Sequence, residues 1–208
     1  MNKPTFYEQA GIIIPGALLL VGVVFFYPGL GQLTGATNMS LGEFGIFILL
    51  SYAAGHFVAA IGNAGENVGW SIVGGMPTNW VLKEKTDLIS PQQRDRLKER
   101  VKILLQIEVT GLQGLDRKAW HPIVRQMYAH VMQSGKPDRI ETFNGNYGLN
   151  RGLSAASAVL TVIGLVEHKW LLALAFVIAA LVFGYRAYRF GVHYARELFV
   201  QFLAIGAG

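Results

Sequence analysis

The sequence predicts an all-α polytopic membrane protein with four transmembrane helices and a small helical cytosolic insertion between spans two and three. Two observations predict this fold class. No Lys or Arg lies between Lys3 and Lys83, and no charge of either sign lies between Arg151 and Glu167. The chain is also 52% hydrophobic and 15% charged, whereas soluble domains are about 25% charged. A charge at mid-bilayer costs about 2.5–3.5 kcal/mol, so membrane insertion selects long uncharged runs.

Four apolar stretches supply the spans. We expect the second to continue as a helix towards Trp70, and the fourth to continue through Phe202 as a helix that leaves the membrane. The third covers only about 22 Å, less than the ~30 Å hydrocarbon core. Either it thins the bilayer, or the uncharged residues from Asn146 onward are immersed with it. The predicted spans are residues 11–27, 44–62, 152–166 and 170–185.

The distribution of basic residues predicts the orientation. Thirteen of the 18 Lys and Arg lie from Lys83 to Arg151, and basic loops are retained on the cytoplasmic side during insertion. The long loop is therefore predicted to be cytosolic, and alternation of the spans places both termini in the cytoplasm. The chain then divides into a transmembrane hairpin (1–70), a cytosolic insertion (71–150) and a second hairpin with a C-terminal extension (151–208).

The insertion is predicted to contain two short amphipathic helices. Ser90, Pro91 and Gln93 form a capping signature, with Ser as N-cap and Gln three residues later. A second helix is predicted to start near Pro122, and Gly135 and Pro137 are expected to end it. Two such helices cannot build a large core alone, so we expect them to pack on each other, on the membrane face or on another subunit.

Polar residues gather at the predicted cytosolic ends of three spans. One interpretation is an inner-mouth site that lines an ion or proton path or holds an anionic headgroup, because ionisable residues in membranes are usually functional. The other is a structural network in which Glu66 pairs with Arg151 or Arg189. The candidate residues are His56, Asn63, Glu66, Asn67, Asn150, Arg151, Arg186, Arg189 and His193.

Basic residues on helices near the membrane form a second candidate set, composed of Arg94, Lys98, Lys102 and Arg196. They are candidates for contacts with anionic lipid or with a cytosolic protein, at about 1 kcal/mol per basic residue near an anionic surface. Anchoring by the positive-inside rule alone is the alternative. Asp95 and Glu99 on the same helix disfavour nucleic acid as the partner.

The sequence predicts no catalytic residue, metal site or cofactor. Its five His lack metal-binding spacing, and the absence of Cys removes thiolate ligands and disulfides. Arg125 and His130 fit the loose Arg-x4-His pattern of HEPN-type ribonucleases, but two residues at that spacing are common by chance.

Three motifs occur in order along the chain. They are Trp70-x3-Gly74-Gly75-x-Pro77-Thr78, Asn146-Tyr147-Gly148-Leu149-Asn150-Arg151 and Arg186-x2-Arg189-Phe190-x3-Tyr194-x2-Glu197-Leu198. Together they resemble a group of uncharacterised bacterial four-pass inner-membrane proteins with a cytosolic loop between spans two and three. The resemblance implies a bacterial inner-membrane location and the same layout. It implies no activity.

Three functions remain open at this stage. The first is a homo-oligomeric, pore-like protein, suggested by the small residues Ala173, Ala180, Gly184 and Ala187 on one face of the last span. By analogy of architecture it would be a membrane effector of an anti-phage system, regulated through its cytosolic segment. The second is a scaffold that recruits a cytosolic protein. The third is an interfacial lipid-modifying enzyme with Glu66 or His56 as acid or base.

Overall fold

The computed structural model describes residues 6–31, 41–108, 111–113, 115–133 and 137–205. Within these residues the chain forms α-helices and short 3-10 turns and no β-strand, and four of the helices are long and apolar enough to cross a membrane. The predicted all-α polytopic fold is confirmed. The helices are α1 (Phe6–Phe26), α2 (Leu41–Ile72), α3 (Pro91–Leu105), α4 (Arg117–Gln133), α5 (Asp138–Val166) and α6 (Trp170–Ala204).

The apolar helices are longer than the spans within them. α2 has 32 residues and continues past Trp70, and α6 has 35 residues and passes Phe202, as the sequence predicted. α5 has 29 residues, so the short third span is the last half of a helix that begins at Asp138. The uncharged residues from Asn146 onward therefore belong to the same helix as that span.

The chain divides into two compact units. The first, called the bundle unit here, comprises residues 1–69 and 145–188; the second, called the insertion unit, comprises residues 70–144 and 189–208. The division after residue 69 lies one residue from the boundary predicted at residue 70. The C-terminal residues 189–208, assigned to the second hairpin in the sequence analysis, group with the insertion.

Glycines bring the helices of the bundle unit together. A methyl group added to Gly16 in α1 would overlap the backbone of α2 at Ser51 and Gly55, and one added to Gly55 would overlap the carbonyl group of Ile12. Because no side chain separates them, α1 and α2 meet backbone to backbone. Small residues on this face of α2 allow the close approach.

Helix α5 packs on α1, α2 and α6. On the α1 side a Cβ at Gly152 would lie 2.7 Å from Cγ of Pro15, and on the α2 side one at Gly62 would lie 3.4 Å from Cγ of Arg151. Larger apolar side chains, including the fully buried Val58 and Leu160, fill the space between these close approaches.

The small-residue face of α6 also packs on α5. Ala173 lies against Gly164, Gly184 lies against Ser154, and the Ser154 hydroxyl donates a hydrogen bond to the carbonyl oxygen of Ala180 at 2.8 Å. This face suggested contacts between copies in the sequence analysis. In the structure it makes contacts within one chain, and so it no longer supports an oligomer.

Large side chains hold the insertion unit together. Trp120, Met127, Phe199 and Phe202 are fully buried in one core to which α3, α4 and the end of α6 contribute. The indole N–H of Trp120 donates to the carbonyl oxygen of Thr78 at 2.8 Å, so this buried polar group is satisfied.

The first of the three motifs ends α2 and turns the chain. Gly74 and Gly75 have φ angles of 89° and 100°, which glycine adopts at little cost. The N–H of Gly75 donates to the carbonyl oxygen of Trp70 at 2.7 Å, and the indole of Trp80 donates to the carbonyl oxygen of Gly75 at 2.8 Å. The motif therefore has a structural role here.

The start of α3 agrees with its sequence signature, and the start of α4 does not. Ser90 and Gln93 form the reciprocal capping box, which confirms that prediction. The prediction that α4 starts near Pro122 is wrong, because the helix begins at Arg117 and contains this proline. The Trp120 N–H already donates to the carbonyl oxygen of Asp116 at 2.9 Å, one turn before the proline.

Candidate functional site

The nine predicted cluster residues do not form a single group. His56, Asn63, Glu66, Asn67, Asn150, Arg151 and Arg186 belong to the bundle unit, whereas Arg189 and His193 belong to the insertion unit. Within the bundle unit they separate into a charged pair with its neighbours and an exposed polar face of α2.

The charged pair joins α2 to α5. Nη1 of Arg151 donates to Oε2 of Glu66, and the side chains are 26% and 12% exposed, respectively. The Arg151 guanidinium also lies over the ring of Tyr147, 5.4 Å from its centroid, which adds a cation–π attraction. Of the two partners proposed for Glu66, the structure selects Arg151.

Asn150 lies in the same segment of α5, but its side chain forms a hydrogen bond within its own helix. Its side chain is 4% exposed, and its amide N–H donates to the carbonyl oxygen of Asn146 at 2.8 Å. The second motif thus supplies an arginine for the ion pair, an aromatic ring against that arginine and a satisfied buried amide.

The other polar residues of α2 lie on an exposed face, which we call the α2 polar face: Ala53, His56, Ala60, Asn63 and Asn67. All five are exposed in the bundle unit. The His56 ring meets the Tyr52 ring edge-on, with centroids 4.6 Å apart. Among the described residues, the side-chain amides of Asn63 and Asn67 have no hydrogen-bond partner.

Part of this face lies less than one membrane thickness from the start of α2. At 1.5 Å per residue, His56 lies about 22 Å and Asn63 about 33 Å from Leu41, against a hydrocarbon core of about 30 Å. Exposed side chains on α6 differ in kind: Leu171 and Leu181 are 81% and 69% exposed. Leucines are suited to lipid, whereas an imidazole and carboxamides are not.

At the opposite end of the bundle, the turn between α5 and α6 contacts the end of α1. The Tyr27 hydroxyl donates to Oε1 of Glu167 at 2.7 Å, and Nζ of Lys169 lies 3.5 Å from the carbonyl oxygen of Phe26. The hydrogen bond to Glu167 raises the pKa of Tyr27, with smaller effects from desolvation and from the charge of Glu167. This contact was not predicted from the sequence, although Glu167 and Lys169 are the charged residues of the turn.

Two of the four predicted lipid or partner contacts act inside the insertion unit. Arg94 donates to the carbonyl oxygens of Lys83 and Glu84, and Arg196 donates to those of Asp87 and Leu88. The two guanidinium groups thus bind both ends of the segment 83–88, which precedes α3. Lys102 pairs with Glu108 at 2.8 Å at the surface, and Lys98 is exposed on α3.

The third motif packs α6 against the first turns of α5 in the insertion unit. The His193 ring stacks on Phe143, with centroids 5.5 Å apart, and Phe190 packs beside that ring. Glu197 accepts a hydrogen bond from Gln201 at 3.0 Å and lies 3.7 Å from Nε of Arg139. These contacts give His193 a packing role, and Arg189 is exposed beside it.

Helix α4 exposes a basic face that the sequence analysis did not single out. Arg117, Lys118, His121 and Arg125 are exposed, and the helix contains no Asp or Glu. A helix N-terminus carries partial positive charge, so basic residues in the first turn are locally unfavourable. The absence of acidic residues from the 17-residue helix was the signal in the sequence.

A groove of about 350 Å³ lies beside α3 and α4, lined by Leu104, Leu105, Gln106, Gln126, Ala129, His130 and Gln133. Arg125 is not among its lining residues. The Arg-x4-His pattern therefore does not place both of its residues in this groove. Among the described residues, no group of three or more His, Asp or Glu is placed to hold a metal ion.

Comparison of the chain with models of protein families, with curated proteins and with solved structures found no match.

Proposed function

We propose that this chain is a homo-oligomeric, pore-like protein of a bacterial inner membrane, in which α2 polar faces from several copies line a shared polar path. The insertion unit would lie in the cytoplasm and regulate it. The observation that supports this function is the exposure of His56, Asn63 and Asn67 on a helix long enough to cross a membrane.

The cost of placing an unpartnered polar group in lipid supports this function. An imidazole without a hydrogen-bond partner costs several kcal/mol in hydrocarbon, and His56 is the polar residue of this face that lies less than one core thickness from the start of α2. Water in a path, or polar groups of another copy, would remove that penalty. A path within a single copy is disfavoured, because close glycine contacts and the buried Val58 and Leu160 fill the bundle.

Single-cysteine labelling tests the path directly, since the natural chain has no Cys. We would make His56→Cys and Asn63→Cys, with the apolar, exposed Leu171→Cys and Leu181→Cys as controls. A charged, membrane-impermeant thiol reagent should modify the two α2 variants and reduce their conductance in planar bilayers. It should leave the two α6 controls unlabelled and unchanged.

Two results would overturn the proposed pore. One is a monomer by light scattering in several detergents, since four helices are too few to enclose a wide path. The other is a reconstituted oligomer that stays electrically silent with and without a cytosolic extract. The proposed defence role is tested separately: plaque counts on cells that express the protein should fall relative to cells that express Asn63→Leu.

The second candidate is a scaffold, and the exposed basic face of α4 favours it. That face suits an acidic surface on a cytosolic protein. Arg117→Glu with Arg125→Glu should abolish capture of such a partner. Charge reversal at the exposed Lys85, which lies outside α4 and outside the predicted contact set, is the matched control and should not. A partner lost equally in both variants would argue for nonspecific charge attraction.

An interfacial lipid-modifying enzyme has less support. Glu66 is engaged by Arg151, and His56 lies about 15 Å from Glu66 along the helix axis, so the two cannot act on one reacting atom. If either residue is an acid or base for a lipid reaction, Glu66→Gln or His56→Gln should change the lipid extract of expressing cells. An unchanged extract would exclude this function.

A further inference from the structure

We infer that copies of this chain associate through the α2 polar face in parallel and in register, so that Asn63 of one copy meets Asn63 of the next. This inference rests on the proposed function and deepens it, because it names the contact that would build the shared path. It assigns the missing hydrogen-bond partners of the exposed carboxamides to a second copy of the same chain.

The residues of the α2 polar face have the spacing found where two parallel helices pack along one stripe. We call the proposed contact between two such faces the seam. The residues of the face follow one another at intervals of three, four, three and four, from Ala53 to Asn67. This spacing keeps one narrow stripe of a helix facing a partner over two heptads. Ala53 and Ala60 alternate with His56 and Asn63, and such small residues allow two helix backbones to approach closely.

The polar residues identify the occupant of the seam. Lipid chains offer no hydrogen bonds, whereas a carboxamide has two donors and an acceptor and can pair with an identical group. Every copy is inserted with the same orientation under the positive-inside rule. Asn63 of each copy therefore lies at the same depth, and a parallel seam would bring equivalent asparagines together, as at the core positions of parallel coiled coils.

Two other small-residue contacts of the bundle unit are made within one chain. Gly16 and Gly55 hold α1 against α2, and Gly164 and Ala173 hold α5 against α6. The large exposed residues of α6, such as Leu171, suit lipid. Among the described residues of this unit, the α2 polar face combines small size, hydrogen-bonding groups and exposure.

Disulfide cross-linking in native membranes tests the seam. Single-cysteine variants Ala53→Cys, Ala60→Cys and Asn63→Cys should form homodimers on mild oxidation. Gly65→Cys is the matched control: its glycine has nothing within 4 Å of a Cβ, and it lies about 160° around the helix from the seam. It should stay monomeric. Cross-links at Gly65, equal cross-linking at all sites, none at the seam, or seam cross-links to a foreign protein would overturn the inference.

A second variant pair tests the amide. Asn63→Leu should weaken self-association about tenfold in detergent, the equivalent of one lost interhelical hydrogen bond. Asn63→Gln, which keeps the carboxamide, should retain most of it. Because Asn63 is exposed, neither change should alter the melting temperature of a dilute monomer. Unchanged association of Asn63→Leu would overturn the role of the amide.

The two proposals can fail separately. Seam cross-links in a protein that conducts nothing would leave the α2 contact standing and reject the pore. Conductance that thiol reagents block at His56→Cys, without any seam cross-link, would keep a pore and reject the parallel α2 contact.

Discussion

The two units of this chain use opposite residue types at their closest contacts. In the bundle unit, glycines such as Gly16 and Gly55 let helix backbones touch, and many large side chains point outward. In the insertion unit, the buried volume comes from large side chains such as Trp120, Phe199 and Phe202. The bundle unit has no side chain at its closest helix contacts, whereas the insertion unit is held together by large side chains.

The solvent of each unit explains the difference. In water, burying apolar surface contributes about 25 cal/mol per Å², so large side chains stabilise a core. In lipid, an outward leucine is as well accommodated as an inward one, and helices associate through close van der Waals packing and hydrogen bonds. The contrast therefore supports a membrane environment for the bundle unit and an aqueous one for the insertion unit. Substitutions can test it.

The largest expected effect is that of Trp120→Ala. Its side chain is fully buried and its indole satisfies the carbonyl oxygen of Thr78, so the free energy of unfolding should fall by about 3–5 kcal/mol. Trp170→Ala, at a 63% exposed tryptophan of the bundle unit, is the matched control and should cost far less. Denaturant unfolding in detergent measures both. Equal losses would break the contrast between the units.

Reversing the charged pair of the bundle unit should have the next largest effect. Arg151→Glu places two carboxylates together at a partly buried site, and should lower the free energy of unfolding by about 3 kcal/mol. Adding Glu66→Arg should recover part of that loss, because the pair is re-formed with its charges exchanged. Melting temperatures of the single and double variants provide the measurement. Additive losses would show that the contact contributes little.

A smaller effect is expected from a single methyl group. Gly16→Ala would place Cβ into the α2 backbone and should destabilise the bundle by about 1–3 kcal/mol. Gly65→Ala has open space around its Cβ and should stabilise α2 by up to about 1 kcal/mol through helix propensity. Thermal unfolding monitored by circular dichroism compares the two. If Gly16→Ala is also neutral, backbone contact does not hold α1 to α2.

Local signals made much of the fold predictable. The cost of charge in lipid acts residue by residue, so the gap from Lys3 to Lys83 was enough to indicate spans one and two. The capping box of Ser90 and Gln93 is complete within four residues and needs no tertiary contact.

The sequence could not predict which residue or helix each group contacts, because these contacts depend on how the helices are rotated and paired. Glu66 had Arg151 and Arg189 as candidates, and sequence spacing cannot separate them. The small face of α6 has the same physical requirements whether its partner is α5 or another copy. The start of α4 was misplaced because Pro122 favours a first turn, whereas burial of Trp120 extends the helix in the N-terminal direction.

The smallest expected effect concerns the exposed contact between Tyr27 and Glu167 at the end of α1. It tests whether contacts at this end of the bundle unit add stability to that of the glycine contacts between its helices. Tyr27→Phe removes the hydroxyl that donates to Glu167 and should lower the melting temperature slightly at pH 8. That hydrogen bond is the main cause that raises the folded-state pKa of Tyr27 above the ordinary tyrosine value of 10.0. The stabilisation is therefore fully present below pH 10 and is lost as the pH rises through the folded-state pKa.

The difference in melting temperature between the wild type and Tyr27→Phe should thus be constant from pH 7 to pH 9 and shrink above pH 10. Taking this difference removes every pH-dependent contribution that the two proteins share. The exposed Tyr185→Phe serves as the control for loss of an exposed tyrosine hydroxyl and should leave the melting temperature at pH 8 unchanged. If Tyr27→Phe instead melts at the wild-type temperature at pH 8, the ring, which both proteins share, and not the hydroxyl, holds the end of α1. The bundle unit would then depend on packing at this end of α1, as it does between its helices.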